Sequence, residues 1–231
     1  MKKFMLVVAL TGAITAFGQS RIGNKPGGQF SVGIRTTTSL FSDESGTGTG
    51  FGGQVRLRFF RLLNSEWFAD YITSDIGNGL GNRTDYHIGW SVMFYPAFAY
   101  RNNERLKLQP YLLAGHCFDK TRFESNLFTE NNVATRFSSA VQAGIGFHLP
   151  LHDRVDLSCS AQYMMHFGKE IEPHVRRNAA GTEYLYFDEH AIEGFEGHLL
   201  VTFSLNFRLA DLWKSKTKGV QDKAPVLEEG Q

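Results

Sequence analysis

Alternating apolar and polar positions recur along this chain, most regularly between Phe195 and Phe207. Odd-numbered positions there are largely apolar and even-numbered positions largely polar, with Leu200 the one apolar residue out of place. Because side chains of a β-strand alternate between its two faces, this stretch predicts a strand with one apolar and one polar face. The same pattern predicts eight strands in all. They are Gln29–Leu40, Phe51–Phe60, Glu66–Thr73, Asp85–Tyr95, Leu106–Phe118, Phe137–Leu149, Val155–Phe167 and Phe195–Phe207.

The composition of the two faces favours a membrane over water. The apolar faces are broad and aromatic, while the opposite faces carry Gly, Ser, Gln and charges rather than mainly Lys and Glu. Aromatic residues also gather near strand ends, as interface girdles require. These are Trp67, Tyr86, Tyr95, Phe147, Tyr163 and Phe207. The pattern predicts an all-β, eight-stranded antiparallel up-and-down transmembrane β-barrel. The alternative is a soluble barrel or sandwich, which would bury the apolar face.

The first 18 residues have the features of a secretory signal peptide. Lys2 and Lys3 precede an almost wholly apolar run, and Ala16-Phe17-Gly18 resembles a cleavage site, so Gln19 is the expected first mature residue. No Cys follows that site, and we expect no lipoprotein anchor. No later apolar run is long enough for a spanning helix of about 20 residues. A membrane-embedded chain must then be a closed barrel, which we assign to residues 19–207, with 208–231 as a disordered periplasmic tail.

Loop lengths predict how the barrel is oriented. The connections after the first, third, fifth and seventh strands are expected to be longer than the others. Long outer loops and short periplasmic turns are typical of outer-membrane barrels. Both termini are therefore expected in the periplasm. The expected long loops are Ser42–Gly50, Ser74–Arg83, Asp119–Thr135 and Gly168–Glu189, and the expected tight turns are Leu62–Ser65 and Pro150–Arg154.

The polar face predicts a filled lumen, because an eight-stranded barrel is just wide enough for side chains to fill. We predict a network of polar side chains inside, with Asp70 directly opposite Arg56 or Arg58. The network is expected to contain Arg56, Arg58, Asp70, Gln142, Asp156, Gln162, His166, Glu196 and His198. Charges there must be paired, since an unpaired buried charge is costly. The interpretation is a stabilising plug, and a narrow conduit for protons or ions is the alternative.

No constellation of residues predicts catalysis. A lipid-modifying hydrolase would need a Ser beside a His base near the outer end of a strand. His166 lacks such a Ser, and Ser204 is too far along its strand from His198 at about 3.3 Å per residue. We expect no catalytic and no cofactor-binding residues.

Metal binding is not expected either. Cys117 and Cys159 fall on non-neighbouring strands, which predicts neither a disulfide nor a metal site. The longest loop carries acids and imidazoles, which we expect to be solvated. These are Glu170, Glu172, His174, Asp188, Glu189 and His190.

Other loop residues have candidate binding roles. Arg176 and Arg177 could contact lipopolysaccharide phosphates. Five loop aromatics are expected to fold onto the barrel rim, or alternatively to form a partner surface. These are Phe123, Phe128, Tyr184, Tyr186 and Phe187. A formal net charge of +1 argues against a nucleic-acid partner.

Two short motifs carry a family resemblance. Pro110-Tyr111-Leu112-Leu113-Ala114-Gly115 resembles a P-Y-x-x-x-G strand, and the segment Val201–Phe207 is similar to the terminal insertion signal. The chain resembles the small outer-membrane β-barrel superfamily (OmpA-, OmpX- and OmpW-like eight-stranded proteins). The resemblance implies contact with outer-membrane lipid and lipopolysaccharide, and with the barrel-assembly machinery during insertion.

The chain departs from that family after Phe207, where many members end. The remaining segment, Arg208–Gln231, is read as a solvated tail or as a docking peptide for a periplasmic or membrane partner. Small barrels of the type IX secretion apparatus are of similar size and topology. The expected function is a non-enzymatic, structural or docking subunit of an envelope assembly in the outer membrane of a Gram-negative-type cell. A lipid-modifying hydrolase and a narrow channel are the alternatives.

Overall fold

Ten strands make up the secondary structure of the described residues, and eight of them close a barrel. The computed structural model describes residues 27–41, 46–96, 108–126, 133–168, 170–190 and 196–213, so the predicted signal peptide and residues 214–231 lie outside it. The strands are β1 Gln29–Leu40, β2 Thr47–Arg58, β3 Leu63–Ile76, β4 Gly81–Phe94, β5 Gln109–Ser125, β6 Val133–His152, β7 Val155–Phe167, β8 Glu170–Arg177, β9 Glu183–His190 and β10 Glu196–Asp211.

The barrel order follows the chain, with β8 and β9 left out. Strands β1 to β7 pair with their sequence neighbours, β7 pairs with β10, and β10 closes the barrel on β1. Every one of these pairs is antiparallel. The predicted eight-stranded antiparallel barrel is therefore confirmed. Among the described residues, no helix is long and apolar enough to cross a bilayer.

The two faces of the wall are those that the alternation predicts. On β3, Trp67 and Tyr71 are exposed on the outside while Phe68 and Ile72 are buried inside. The one wrong assignment among the proposed girdle aromatics is Tyr95, which is 1% exposed. Its hydroxyl bonds to His148 within the lumen instead of facing lipid.

Several strands extend further than predicted. Residues Asp119 to Ser125 continue β5, and Val133 to Arg136 begin β6, so most of the expected loop between them is strand. The expected loop after β3 is only the turn 77–80, whereas residues 95–108 separate β4 from β5. Polar residues in these stretches point into the lumen or lie above the apolar ring, and their polarity is why the sequence pattern predicts loops there.

The longest predicted loop is a β-hairpin formed by β8 and β9. Its apolar side rests on the barrel edge, where Ile171 and Leu185 cluster with Ile76 and Phe123. Phe123, expected to be an exposed loop aromatic, is fully buried there. The hairpin thus covers part of one barrel mouth. We call this the upper mouth, and the lower mouth is the one beside Gln29 and Asp211.

Large and small residues alternate inside the barrel to fill it. The apolar part of the lumen at mid-height contains Phe68, Ile72, Cys117, Ala140, Met164 and Leu200. A Cβ at Gly89 would collide with the Phe68 ring, and one at Gly146 with the Tyr111 ring. Glycine at these two inward positions therefore leaves the space that the aromatic rings occupy. Cys117 faces the lumen, and both cysteines are free.

Candidate functional site

Arg35 is the centre of a buried charge network halfway along the lumen. Its Nε lies 3.0 Å from Asp70 Oδ1, and its Nη1 lies 3.2 Å from Glu66 Oε1. The guanidinium also stacks over the Phe68 ring, 4.4 Å from its centroid. Nη1 further donates to Gln54 Oε1. One cation thus holds two carboxylates that both project from β3.

Asp70 does not face the arginines predicted for it. The turn after β2 places Arg56 opposite Glu66 and Arg58 opposite Asn64, while Asp70 stands opposite Gly52. The prediction was wrong because the turn lies at residues 59–62, which shifts every pair on the two strands. Gly52 on β2 stands between Arg35 on β1 and Asp70 on β3. Because it has no side chain, Arg35 can pass over β2 on the inner face of the wall and reach Asp70.

A second network fills the lower lumen around Arg56. Its Nη2 donates to Asp156 Oδ1 over 2.6 Å, and Nη1 lies 3.1 Å from His148 Nδ1. His148 also bonds to Tyr95 and Ser158. Arg58 lies over the Tyr95 ring at 4.4 Å and donates to the carbonyl of Arg61. The side chains of this network fill the lower mouth. Among them Asp156 is partly exposed, at 27%.

A third network, the upper lumen cluster, lies beneath the hairpin. We define it by Arg83, Asp85, His87, Asp119, Arg136, Ser138, His166 and His198. His166 Nδ1 lies 3.0 Å from Ser138 Oγ, and His166 Nε2 lies 3.2 Å from His198 Nδ1. Arg83 Nε lies 3.0 Å from Asp85 Oδ2. Buried charge is therefore concentrated at this end as well.

Most residues predicted for the lumen lie in it. Gln142 donates to Ser91, and Gln162 is buried on the same inner face. Glu196 begins β10, but its side chain is outside the described part of the structure. Sequence reasoning missed Arg35, Glu66, Arg83, Asp85, His87, Asp119, Arg136 and His148 as network members, although each is buried. Their inward spacing of two on β1, β3, β4, β5 and β6 was the available signal.

The hairpin residues considered for metal or phosphate binding make local pairs. His174 lies 3.3 Å from Glu172, and both are exposed. Arg177 binds Glu183 at 2.6 Å, and Arg176 stacks over Tyr186 at 4.0 Å. Each cation of the Arg176-Arg177 pair thus already has a partner within the hairpin. Phe128 and the side chains of Glu170, Glu189 and His190 lie outside the described residues.

One polar pair stands on the outer wall. His116 Nε2 lies 2.7 Å from Ser139 Oγ, and both residues are partly exposed on the outside of β5 and β6. Apolar side chains surround this His116–Ser139 pair on the wall, with Ile88, Phe118 and Phe137 exposed nearby. An ionisable group at such a position is costly in a bilayer and marks a candidate functional site.

Comparison with known proteins identifies the fold. No protein-family model matches the chain, and no curated protein matches it. Neisserial surface protein A matches with a TM-score of 0.50 at 12% identity, over 78% of this chain and 97% of that one. The outer membrane protein OprG from Pseudomonas aeruginosa matches with a TM-score of 0.51 at 12% identity, over 80% and 97%. At this identity the likeness shows the fold alone.

An enzyme is also among the matching structures. The outer membrane protease OmpT from Escherichia coli matches at a TM-score of 0.33 and 6% identity, over 78% of this chain and 97% of that one. A likeness this distant carries no argument about activity. Catalysis must therefore be judged from the side chains of this chain.

Proposed function

The chain has the fold of the small outer-membrane β-barrels, and we propose that it is a non-enzymatic integral protein of the outer membrane that serves as a structural or docking subunit of an envelope assembly. The observation that carries this proposal is a barrel turned inside out relative to soluble proteins. Its buried charges lie inside, and most of its large apolar side chains are exposed on the outside.

The exposed apolar side chains support the membrane location. Residues such as Ile34, Phe51, Ile88 and Ile145 are 63% to 70% exposed on the outside of the barrel. Soluble monomers rarely expose large contiguous apolar patches. In a bilayer these side chains are not exposed to water, because acyl chains cover the apolar ring. We place the termini in the periplasm and the β8–β9 hairpin outside, since long outer loops are typical of these barrels.

The outward cations above the apolar ring suit a lipid partner of the outer leaflet. Lys120 projects outward on β5 beside the Phe137 ring, 5.3 Å from its centroid, and Arg122 follows two residues later. Ammonium and guanidinium groups at this height match the phosphates of lipopolysaccharide. Lipopolysaccharide is the lipid that we propose lies against this side of the barrel.

The filled lumen argues against the channel alternative. Residues at three heights are essentially unexposed, among them Asn206 near the lower mouth, Ile72 at mid-height and Arg83 near the upper mouth. Paired charges and packed apolar groups occupy the space that a conduit would need. The network therefore supports a plug that holds the barrel closed and rigid.

Deleting the tail tests the docking role. Strand β10 runs to Asp211, the Leu212 amide bonds to Gly28, and Trp213 packs near Phe59. The deletion must therefore begin at residue 214 to leave the barrel intact. We expect in-cell crosslinking to capture a defined envelope partner with the full chain and to lose it with residues 214–231 removed, while both proteins fractionate with the outer membrane.

A matched internal deletion is the control for this experiment. Removing the hairpin tip, residues 178–182, shortens the chain on the other side of the membrane and should leave the crosslink in place. A crosslink that survives the tail deletion would contradict docking through the tail. Recovery of the full chain in the soluble fraction would contradict the membrane location itself.

The His116–Ser139 pair favours a second candidate function, that of a lipid-modifying hydrolase. In such a reaction Ser139 Oγ would bond to an ester carbonyl carbon while His116 takes the hydroxyl proton and passes it to the leaving alcohol. Water would then release the acyl group from the serine. The apolar surroundings on the wall suit an acyl chain.

A serine-directed fluorophosphonate probe decides this candidate. If the pair is catalytic, the folded protein in lipid-containing micelles is labelled, and Ser139→Ala abolishes the label. Ser138→Ala is the matched control, because Ser138 is the adjacent residue and faces the lumen. Absence of labelling of the unmodified protein would remove the hydrolase from consideration.

A further inference from the structure

The upper lumen cluster contains the donor set of a metal site. Asp85 and His87 are two residues apart on β4 and so share its inner face, and His87 stands directly opposite Asp119 on β5. One ligand atom from each of the three residues lies within 4.8 Å of the others. All three side chains are buried. Adjacent strands thus converge two carboxylates and one imidazole on a single point of the lumen.

The His87 ring lacks the partners that a buried imidazole normally has. It is 1% exposed, and within the described residues neither of its ring nitrogens makes a hydrogen bond. Its Nε2 lies 3.4 Å from Asp119 Oδ1, an oxygen that is also without a hydrogen bond there. Buried polar groups are rarely left unsatisfied, and each such group calls for an explanation.

A bound cation explains this arrangement. Two ligand atoms bonded at about 2.1 Å to a tetrahedral ion are about 3.4 Å apart, which matches the His87 Nε2 to Asp119 Oδ1 distance. We propose that the upper lumen cluster binds a divalent transition-metal ion through His87, Asp119 and Asp85. The mixture of imidazole and carboxylate favours zinc or a similar ion over calcium and magnesium, which prefer oxygen ligands alone.

The arginines nearby determine which atoms are left for the ion. Arg136 Nη2 lies 3.7 Å from Asp119 Oδ2, on the carboxylate oxygen that does not face His87. Arg83 Nε lies within 3.1 Å of both Asp85 oxygens. His87 and Asp119 are therefore the stronger ligands, and Asp85 binds in competition with Arg83. A further imidazole is at hand, because the His198 ring stacks on that of His87 with 6.0 Å between centroids, and its Nε2 makes no hydrogen bond to any described residue.

Such an ion would stabilise the upper end of the barrel by linking its strands. His87 and Asp119 come from the neighbouring strands β4 and β5, whereas His198 comes from β10, across the barrel. An ion bound by His87 and Asp119 ties β4 to β5 under the β8–β9 hairpin, and it crosslinks opposite sides of the lumen where His198 joins them. The site is distinct from the exposed acids and imidazoles of the hairpin itself.

Zinc stoichiometry tests this site. The chain without its predicted signal peptide is refolded into detergent micelles with zinc, freed of unbound metal on a desalting column, and analysed by elemental mass spectrometry. We expect about one zinc per chain for the unmodified protein and most of it lost in His87→Gln. His174→Gln is the matched control, because it removes an exposed imidazole beside a carboxylate and should keep the zinc.

Cobalt supplies a readout that needs no variant. Refolding with cobalt should give the visible absorption bands of a cobalt ion with a low coordination number and imidazole and carboxylate ligands. Added zinc should remove these bands by competing for the site. A barrel that folds with zinc present and retains none, or His87→Gln that retains all of it, would overturn the proposal. His87→Gln is a valid test only if it folds, which a heat-dependent shift in gel mobility shows. If it does not fold, the cobalt spectrum of the unmodified protein is the test, and the absence of cobalt bands overturns the proposal.

Discussion

Replacing Arg35 by leucine is expected to destabilise the barrel by about 3–5 kcal/mol, because it leaves two buried carboxylates without their cation. Asp70 and Glu66 both bind the Arg35 guanidinium, and the side chains of Arg35 and Asp70 are each only 1% exposed. Urea unfolding in phospholipid vesicles measures the change. We expect the stability of Arg35→Lys to lie between those of the unmodified protein and Arg35→Leu. The ammonium group keeps the positive charge, but it lacks the planar set of donors with which a guanidinium binds two carboxylates at once.

Arg177→Leu is the control for this measurement. It also breaks an arginine–carboxylate pair, at 2.6 Å from Glu183, but Arg177 is 72% exposed on the hairpin. Exposed pairs contribute about 0–1 kcal/mol, so we expect almost no change in the unfolding midpoint. Equal midpoints for Arg35→Leu and the unmodified protein would show that the network is not a stabilising plug.

Placing arginine at Ile145 is expected to cost about 2–4 kcal/mol in a bilayer, because the side chain faces the hydrocarbon near the middle of β6. Ile145 is 63% exposed on the outer wall. The same unfolding experiment in vesicles measures the loss, and the yield of folded protein in the outer membrane measures it in cells. A soluble barrel would tolerate this change, since arginine on a wet surface carries no such cost.

Leu151→Arg is matched to that variant in strand and in exposure. Leu151 is 58% exposed and lies six residues further along β6, near the lower turn. That spacing moves the charge about 20 Å along the strand, to the interface. There we expect a cost of about 0–1 kcal/mol. Equal effects of the two substitutions would contradict a membrane around this barrel.

Periodicity predicted the barrel wall because each strand obeys one local rule. A side chain two residues further along a strand returns to the same face, so the apolar set on β4 or β7 defines its outside without any tertiary information. The rule fails where both faces are polar. That is why the alternation predicts a loop over the upper part of β5. The β8–β9 hairpin does have an apolar side, but it lies on short strands rich in charged residues.

The lumen networks needed information that the alternation does not contain. The partner of Asp70 depends on the position of the turn at residues 59–62, and a shift there changes every opposed pair. Arg35 reaches Asp70 because Gly52 on β2 stands opposite both residues, which depends on the registers of β1 with β2 and of β2 with β3. The meeting of His87 with Asp119 likewise depends on the register between β4 and β5.

The position of β10 within the chain bears on how the protein is put into the membrane. Its pairing with β1 closes the cylinder, yet further residues follow Asp211, beginning with Leu212 and with Trp213, which packs against Gly28. The closing strand, β10, is thus an internal segment of the polypeptide, and the chain's terminal carboxyl group does not lie at its end. If the chain is inserted from the periplasm as we propose, recognition of β10 rests on side chains such as Phe203, Leu205 and Phe207, and the segment after it stays on the periplasmic side.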